Sequence, residues 1–121
     1  MRTIPREVCS DLNKNLFKLN EIQKQVLIGT LLGDGGLRFR GKNCRLHIKH
    51  SIRQISLVNY KREVFNNITS MNVNVFKQTV GKTDYSFAEF VTLTHPEFTK
   101  YYNLFYLSSK KIIPRNIDSL L

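Results

Sequence analysis

The chain has 121 residues, a length that suits one domain built round one hydrophobic core. Lysine and arginine total 19 against 9 aspartate and glutamate residues, so the formal net charge is +10. This balance favours a polyanionic partner, and nucleic acid is the expected one. No apolar run approaches the ~20 residues that span a bilayer. An anionic membrane surface is the weaker alternative, because the basic residues fall mainly on predicted strands rather than on an amphipathic helix.

The N-terminal segment is polar and basic and lacks the apolar stretch of a secretory signal. Cys9 and Cys44 are too few for a disulfide framework, so an intracellular, reducing setting is expected. The abundance of Asn, Ile, Lys and Phe is typical of an AT-rich genome and favours an organelle, either mitochondrion or chloroplast. We predict a basic arm over residues 1–19 and a single domain over residues 20–121.

The first predicted helix runs over about residues 21–33. Asn20 and Gln23 have the spacing of a capping box at its start. Its apolar residues nearly encircle the helix, which predicts burial on more than one side. Gly29 and Gly33 are spaced i, i+4, so they lie on one face and would let another backbone approach closely.

A second helix of the same kind is the expected neighbour of this glycine face. The predicted interface consists of Leu27, Gly29, Thr30 and Gly33. Tight packing of the glycines against the chain's own sheet is the alternative.

Two strands are predicted after the glycine-rich turn that follows the first helix, because apolar residues there recur at every second position. A turn at residues 41–43 makes them an antiparallel hairpin with one apolar and one cationic face. The cationic face carries Arg38, Arg40, Arg45, His47 and Lys49.

The rest of the chain repeats this order. Ser51 and Gln54 suggest a second capping box, which would open a helix over about residues 52–69. Strands are predicted at 72–80 and 84–93, joined by a turn at 81–84. A third helix would begin at residues 94–97, with Thr94 as its cap, and end at residues 110–114. The predicted class is α+β, with helices on one face of an antiparallel sheet.

The cationic hairpin predicts nucleic-acid binding, since a two-stranded ribbon fits the major groove and arginine can pair with guanine. Lys42, Lys77 and Lys82 lie near turns and are expected to contact phosphates. Gln78 and Ser86 are weaker candidates for contacts with bases or phosphates. The alternative is an ordinary solvated sheet face.

Residues 27–35 resemble the nine-residue motif of the LAGLIDADG homing endonuclease family. They match it at Leu27, Gly29, Asp34 and Gly35, while Leu32 replaces the aspartate at the sixth position. The order αββαββα agrees, as do residues 103–106 followed by Lys-Lys-Ile-Ile-Pro at 110–114. The resemblance implies a saddle-shaped, antiparallel four-stranded sheet. Two-repeat members carry a second motif after the Ile-Pro segment, so this chain resembles one half of such an enzyme or a single-repeat protein.

The resemblance also implies a reaction centre at the end of the first helix. Asp34, with the Gly33 carbonyl, would bind Mg²⁺ or another divalent cation such as Mn²⁺. Lys111 matches the family's active-site lysine, and Lys110 is the neighbouring alternative. The competing interpretations are an Asp-Gly turn and a solvated lysine.

Taken together, these features imply a site-specific, metal-dependent endonuclease acting on double-stranded DNA. It would work as a homodimer or with a complementary second half. The first alternative is a non-cleaving RNA-binding derivative, such as an intron maturase or a protein associated with an organellar ribosome. The second is a DNA-binding regulator.

Overall fold

Helices cover one face of a four-stranded sheet in the computed structural model, which describes residues 17–33, 35–115 and 117. None of the helices in these residues is long and apolar enough to cross a membrane. In chain order the elements are α1 (Glu21–Leu32), β1 (Gly36–Arg40), β2 (Asn43–Ser51), α2 (Ile55–Val64), β3 (Asn74–Val80), β4 (Thr83–Val91), α3 (Pro96–Phe105), β5 (Tyr106–Leu107) and β6 (Lys110–Lys111).

The strand order in the main sheet is β1-β2-β4-β3, and every neighbouring pair is antiparallel. Along β2, buried and partly exposed residues alternate, and Cys44, Leu46 and Ile48 point into the core. The helices, with Phe65 directly after α2, supply the other side of that core, chiefly through Leu27, Leu31, Val58, Phe98 and Phe105. The predicted α+β class with an antiparallel sheet is confirmed.

Both hairpins of the sheet close through a Gly-Lys pair. Gly41 and Gly81 have φ angles of 77° and 64°, as the first central residue of a type II′ turn requires. Lys42 and Lys82 occupy the second central position of these turns, so each hairpin tip carries one exposed cation.

The capping box of α1 is confirmed. Asn20 Oδ1 accepts from the Gln23 backbone N–H at 2.8 Å, and Gln23 Oε1 accepts from Asn20 N–H at 3.0 Å. The amide nitrogen of the buried Gln23 also donates to Val64 O and Asn67 Oδ1. Gln23 therefore fixes the start of α1 and ties it to the end of α2.

The single helix predicted over residues 52–69 is wrong at both ends. Ser51 caps only a 3-10 turn (Ile52–Gln54), so the Ser51–Gln54 capping box does not form. α2 ends at Val64, and a second 3-10 turn (Asn66–Ile68) follows. The side chains of Asn66 and Asn67 accept hydrogen bonds from other side chains there, and such bonds compete with continuation of the helix. Arg62 Nη1 donates to Asn66 Oδ1 at 2.9 Å.

The domain boundary and the cap of α3 also need correction. Phe17 and Leu19, which belong to the predicted arm, are buried in the core, and the ring centroids of Phe17 and His95 are 5.0 Å apart. These two residues therefore belong to the domain, and the rest of the predicted arm, residues 1–16, lies outside the described residues. His95, not Thr94, caps α3: its Nδ1 accepts from the Glu97 N–H at 3.1 Å.

α3 ends at Phe105 and not near residue 110, because a short hairpin, β5–β6, follows it directly. The hairpin closes through Ser108 and Ser109, whose φ angles are 51° and 68°. Non-glycine residues rarely adopt positive φ, so the Ser-Ser pair gives little sequence signal for this turn. The hairpin is nevertheless important, because it carries Lys111.

Candidate nucleic-acid interface and helix-end site

The exposed face of the sheet gathers the predicted cationic residues. Strand register places Arg38 directly opposite Arg45, and Lys49 directly opposite Glu89. Because residues opposite each other in antiparallel strands share a face, Arg38, Arg40, Arg45, His47 and Lys49 lie on one side of the sheet. We call this side the cationic face.

Electrostatic repulsion concentrates at the β1–β2 end of the cationic face. Partial burial, and then the charges of Arg40 and Arg38, lower the pKa of the Arg45 guanidinium from its ordinary value. No acidic side chain of β1 or β2 relieves this repulsion, since neither strand contains one. A phosphate group placed there would be stabilised by all three guanidinium groups.

The cationic face also contains an acidic residue, Glu89, which the sequence of the first hairpin does not predict. Glu89 Oε1 lies 2.8 Å from His47 Nε2. The residue reaches the face because β4, and not β1, flanks this end of β2. Only the pairing of β2 with β4 could have revealed it.

The remaining predicted contacts divide between the two faces of the sheet. Gln78 lies on the cationic face, where its Oε1 accepts from Lys49 Nζ at 3.0 Å. Lys77 is paired with Ser86, and the register puts both on the opposite, helix-side face of the β3–β4 hairpin. The structure therefore brings Gln78, but not Lys77 or Ser86, together with the other candidates.

The C-terminus of α1 is closed by two hydrogen bonds to one carbonyl. The backbone N–H groups of Gly33 and Gly35 both donate to Thr30 O at 3.1 Å. Gly35 is buried so closely that a Cβ atom there would lie 1.9 Å from Thr30 Cγ2. A side chain at position 35 would force Thr30 to move, which gives a physical reason for the glycine at the end of the motif. The predicted metal ligand Asp34 lies outside the described residues.

Lys111 reaches this helix end from β6. Its Nζ donates to the carbonyl oxygens of Gly33 and Gly35 at 2.8 and 2.6 Å. Carbonyls at a helix C-terminus lack intrahelical partners and carry partial negative charge, so they attract a cation. The structure thus brings together two of the candidate residues of the reaction centre, Lys111 and Gly33.

The described residues supply one candidate oxygen ligand for a divalent metal at the helix end. Gly33 O is a donor of the kind that Mg²⁺ prefers, but it accepts from the Lys111 ammonium, which a bound metal ion would have to displace. Among the described residues, no cluster of three or more His, Cys, Asp or Glu side chains could hold a metal. Further oxygen ligands would be needed from Asp34, from water or a substrate phosphate, or from a second protein chain or domain.

A depression of about 450 Å³ connects the helix end to the sheet edge. Arg38 and Lys111 both line it, together with Tyr106. Tyr106 was not among the predicted site residues, yet its hydroxyl accepts from Leu37 N–H at 3.0 Å and lies 3.2 Å from where a Cβ of Gly36 would be. It therefore fixes the start of β1 beside the helix-end site.

The glycine face of α1 is only partly as predicted. Gly29 and Gly33 are exposed, and a Cβ added at Gly29 would meet nothing within 4 Å. Leu27 and Thr30 are instead buried in the chain's own core, so they are removed from the predicted interface. The exposed residues on this side of α1 are Ile22, Gln25, Gly29, Leu32 and Gly33. We call this surface the glycine stripe.

The sequence also matches known proteins. The model of the LAGLIDADG DNA endonuclease family matches residues 24–121. The cytochrome b mRNA maturase bI2 of Saccharomyces cerevisiae (strain ATCC 204508 / S288c) is 27% identical over 123 aligned residues, which cover 92% of this chain. This chain spans 29% of that relative's length.

A solved structure of similar fold is the homing endonuclease I-WcaI bound to its DNA recognition sequence. The match has a TM-score of 0.78 and 22% sequence identity, and it covers 89% of this chain and 50% of the other. Because the family model covers most of the sequence, the chain belongs to the LAGLIDADG DNA endonuclease family.

Proposed function

We propose that this chain is a DNA-cleaving module that binds double-stranded DNA on its cationic face and hydrolyses phosphodiester bonds with a divalent cation. The observation that carries the proposal is the contact of Lys111 with the carbonyls on either side of Asp34. This contact puts a cation-binding helix end next to Arg38, at the edge of the cationic face.

Residues at different positions would have different roles in binding and cleavage. The arginines of β1 and β2 would bind phosphates and base edges in the major groove, since a two-stranded ribbon fits that groove. Lys42 and Lys82, at the hairpin tips, would contact phosphates of the bound nucleic acid. Lys111 would stabilise negative charge on the attacked phosphate. Asp34 and Gly33 O would hold Mg²⁺ or Mn²⁺, which would polarise the phosphate and activate water.

A partner would complete the site through the glycine stripe. One chain supplies one Asp34, so a separate centre for each of the two strands would need a second Asp34. The stripe exposes Ile22 and Leu32 to 60% and 46% beside bare glycine backbone, and a second α1 helix could cover it. The partner would be a second copy of this chain or a complementary half of the same fold.

Cleavage tests this proposal directly. Duplexes selected from a randomised library would be incubated with Mg²⁺, Mn²⁺ or EDTA. We expect metal-dependent cutting by the wild type, and a loss of about 10²-fold or more in Asp34→Asn and Lys111→Met. Lys110→Met removes the same charge one position earlier and should keep activity. Folded wild-type protein that binds DNA but cuts no selected site with either metal would contradict the nuclease proposal.

A second candidate function is RNA binding without cleavage, as in an intron maturase or a protein of an organellar ribosome. It is favoured by the similarity to a relative whose name assigns it to cytochrome b mRNA. The same similarity supports an organellar origin for this chain. Purification of the chain from its source would distinguish the functions, because co-purification with intron or ribosomal RNA without nuclease activity favours the second.

A further inference from the structure

The two hairpins present different chemistry on the cationic face. The β1–β2 hairpin carries arginines, whereas the β3–β4 hairpin carries aromatic rings. Register places Phe76 opposite Phe87, and Gln78 opposite Tyr85, so all four share the cationic face. We call Phe76, Tyr85 and Phe87 the aromatic cluster.

The three rings form a continuous surface. The centroids of Phe76 and Phe87 are 5.7 Å apart, and those of Tyr85 and Phe87 are 6.4 Å apart. Tyr85 is the outermost ring and is 48% exposed. Aromatic rings are usually buried in the core of a folded domain. A cluster of three rings on the solvated face of a sheet therefore indicates a binding site.

Lys49 joins the aromatic cluster to the positive charge of the sheet. Its Nζ lies 4.5 Å from the Phe87 centroid and 5.4 Å from that of Phe76, within cation–π range. The same ammonium donates to Gln78 Oε1 at 3.0 Å. A ligand at this end of the sheet would therefore meet aromatic faces and a cation together, which is the combination that binds stacked bases and their phosphates.

Paired bases cannot stack well on the aromatic cluster. In a duplex the faces of the bases are stacked on each other, and the grooves present edges and sugars. Unpaired bases expose their faces and stack on aromatic side chains of β-sheets. Folded RNA displays unpaired bases routinely in loops and bulges.

We infer that the aromatic cluster is a binding site for unpaired bases of RNA, adjoining the arginines of the β1–β2 hairpin on the same sheet. The inference rests on the proposal that this face binds nucleic acid. It goes further, because it divides the face into an arginine end for phosphates and paired DNA and an aromatic end for single-stranded segments.

Binding to oligonucleotides tests the inference. The probes are fluorescent oligo-uridine of about 12 nucleotides, oligo-thymidine of equal length and a duplex DNA. In the double variant Tyr85→Leu/Phe87→Leu we expect at least ~10-fold weaker RNA binding and little change for the duplex, because stacking on rings is lost while the charges remain. Photocrosslinking of the wild type to oligo-uridine should label Tyr85 or Phe87.

The control is Tyr60→Leu, which removes a ring that is 54% exposed on α2, in the helical layer. It should leave RNA binding unchanged, and thermal unfolding should show that all variants fold. An equal loss for RNA and duplex, or no loss for RNA, would overturn the inference. Ring-dependent binding that is as tight for oligo-thymidine would overturn the assignment to RNA. If the protein bound RNA through these rings but did not bind the duplex, the proposed DNA function would be contradicted and the inference about the aromatic cluster would stand.

Discussion

The ammonium group of Lys111 lies 2.8 Å from the carbonyl oxygen of Gly33, 78 positions earlier in the chain. The contact joins the C-terminus of α1 to the short β5–β6 hairpin. It satisfies a helix-end carbonyl and brings a positive charge beside the family's motif residues.

Removal of this charge should loosen the helix end. We expect Lys111→Met to lower the free energy of unfolding by about 1 kcal/mol, since two charge-assisted hydrogen bonds at a partly solvated site are lost. Lys110→Met should change it much less, because the described contacts at the helix end come from Lys111. Urea denaturation of both variants checks this, and equal losses would contradict the specific role of Lys111.

Gly35 should tolerate no side chain. The Cβ of Gly35→Ala would lie 1.9 Å from Thr30 Cγ2, so we expect a destabilisation of about 2 kcal/mol. Thr30→Ser removes that methyl group and should reduce the cost of the alanine. A double-mutant cycle by denaturation measures the coupling. Additive effects of the two changes would show that the steric explanation is wrong.

Substitution of Gly29 by alanine should raise the stability of the chain but weaken its association with a partner. Gly29→Ala adds a Cβ that meets nothing within 4 Å, so the helix should gain up to ~1 kcal/mol in the isolated chain. The same methyl group would keep a partner backbone away from the glycine stripe. We expect higher thermal stability with weaker association in sedimentation experiments. Unchanged association would mean that the stripe is not the pairing surface.

Cys44 should react slowly with thiol reagents. Burial raises the pKa of its thiol, with a smaller opposing effect of Thr99, so little reactive thiolate forms near neutral pH. The protonated thiol is the form that the fold favours, so this contribution to stability is complete below about pH 8.5 and declines as pH rises further. In a Cys9→Ser background, modification should become rapid only with denaturant or at high pH. Rapid modification of the native protein at pH 7 would contradict this burial.

The strand and hairpin layout could be predicted from sequence because it depends on local signals. Alternation in β2 and the Gly-Lys turns are visible within a few residues. The end of α2 could not be predicted from the sequence, because it depends on Asn67, which accepts a hydrogen bond from Gln23 of α1. Helix-forming residues before such a site give no indication of where the helix stops.

The candidate site was predictable where each strand supplies its own residues. Arg38 and Arg45 follow from the alternation in one hairpin. Glu89 and the aromatic cluster depend on the pairing of distant strands, so the sequence pattern alone did not reveal them. The position of Lys111 depends on a Ser-Ser turn that has no clear sequence signal.

Salt dependence of duplex binding tests the central claim, that the cationic face is the DNA-binding surface. Arg38→Gln and Arg45→Gln each remove one charge from that face, while Lys100→Gln removes one from α3 on the helical layer. We predict that each arginine variant weakens binding and lowers the slope of log K against log salt by about 1, because one phosphate contact is lost. Lys100→Gln should leave the slope unchanged. Equal effects of all three changes, or an effect of Lys100→Gln alone, would contradict the account.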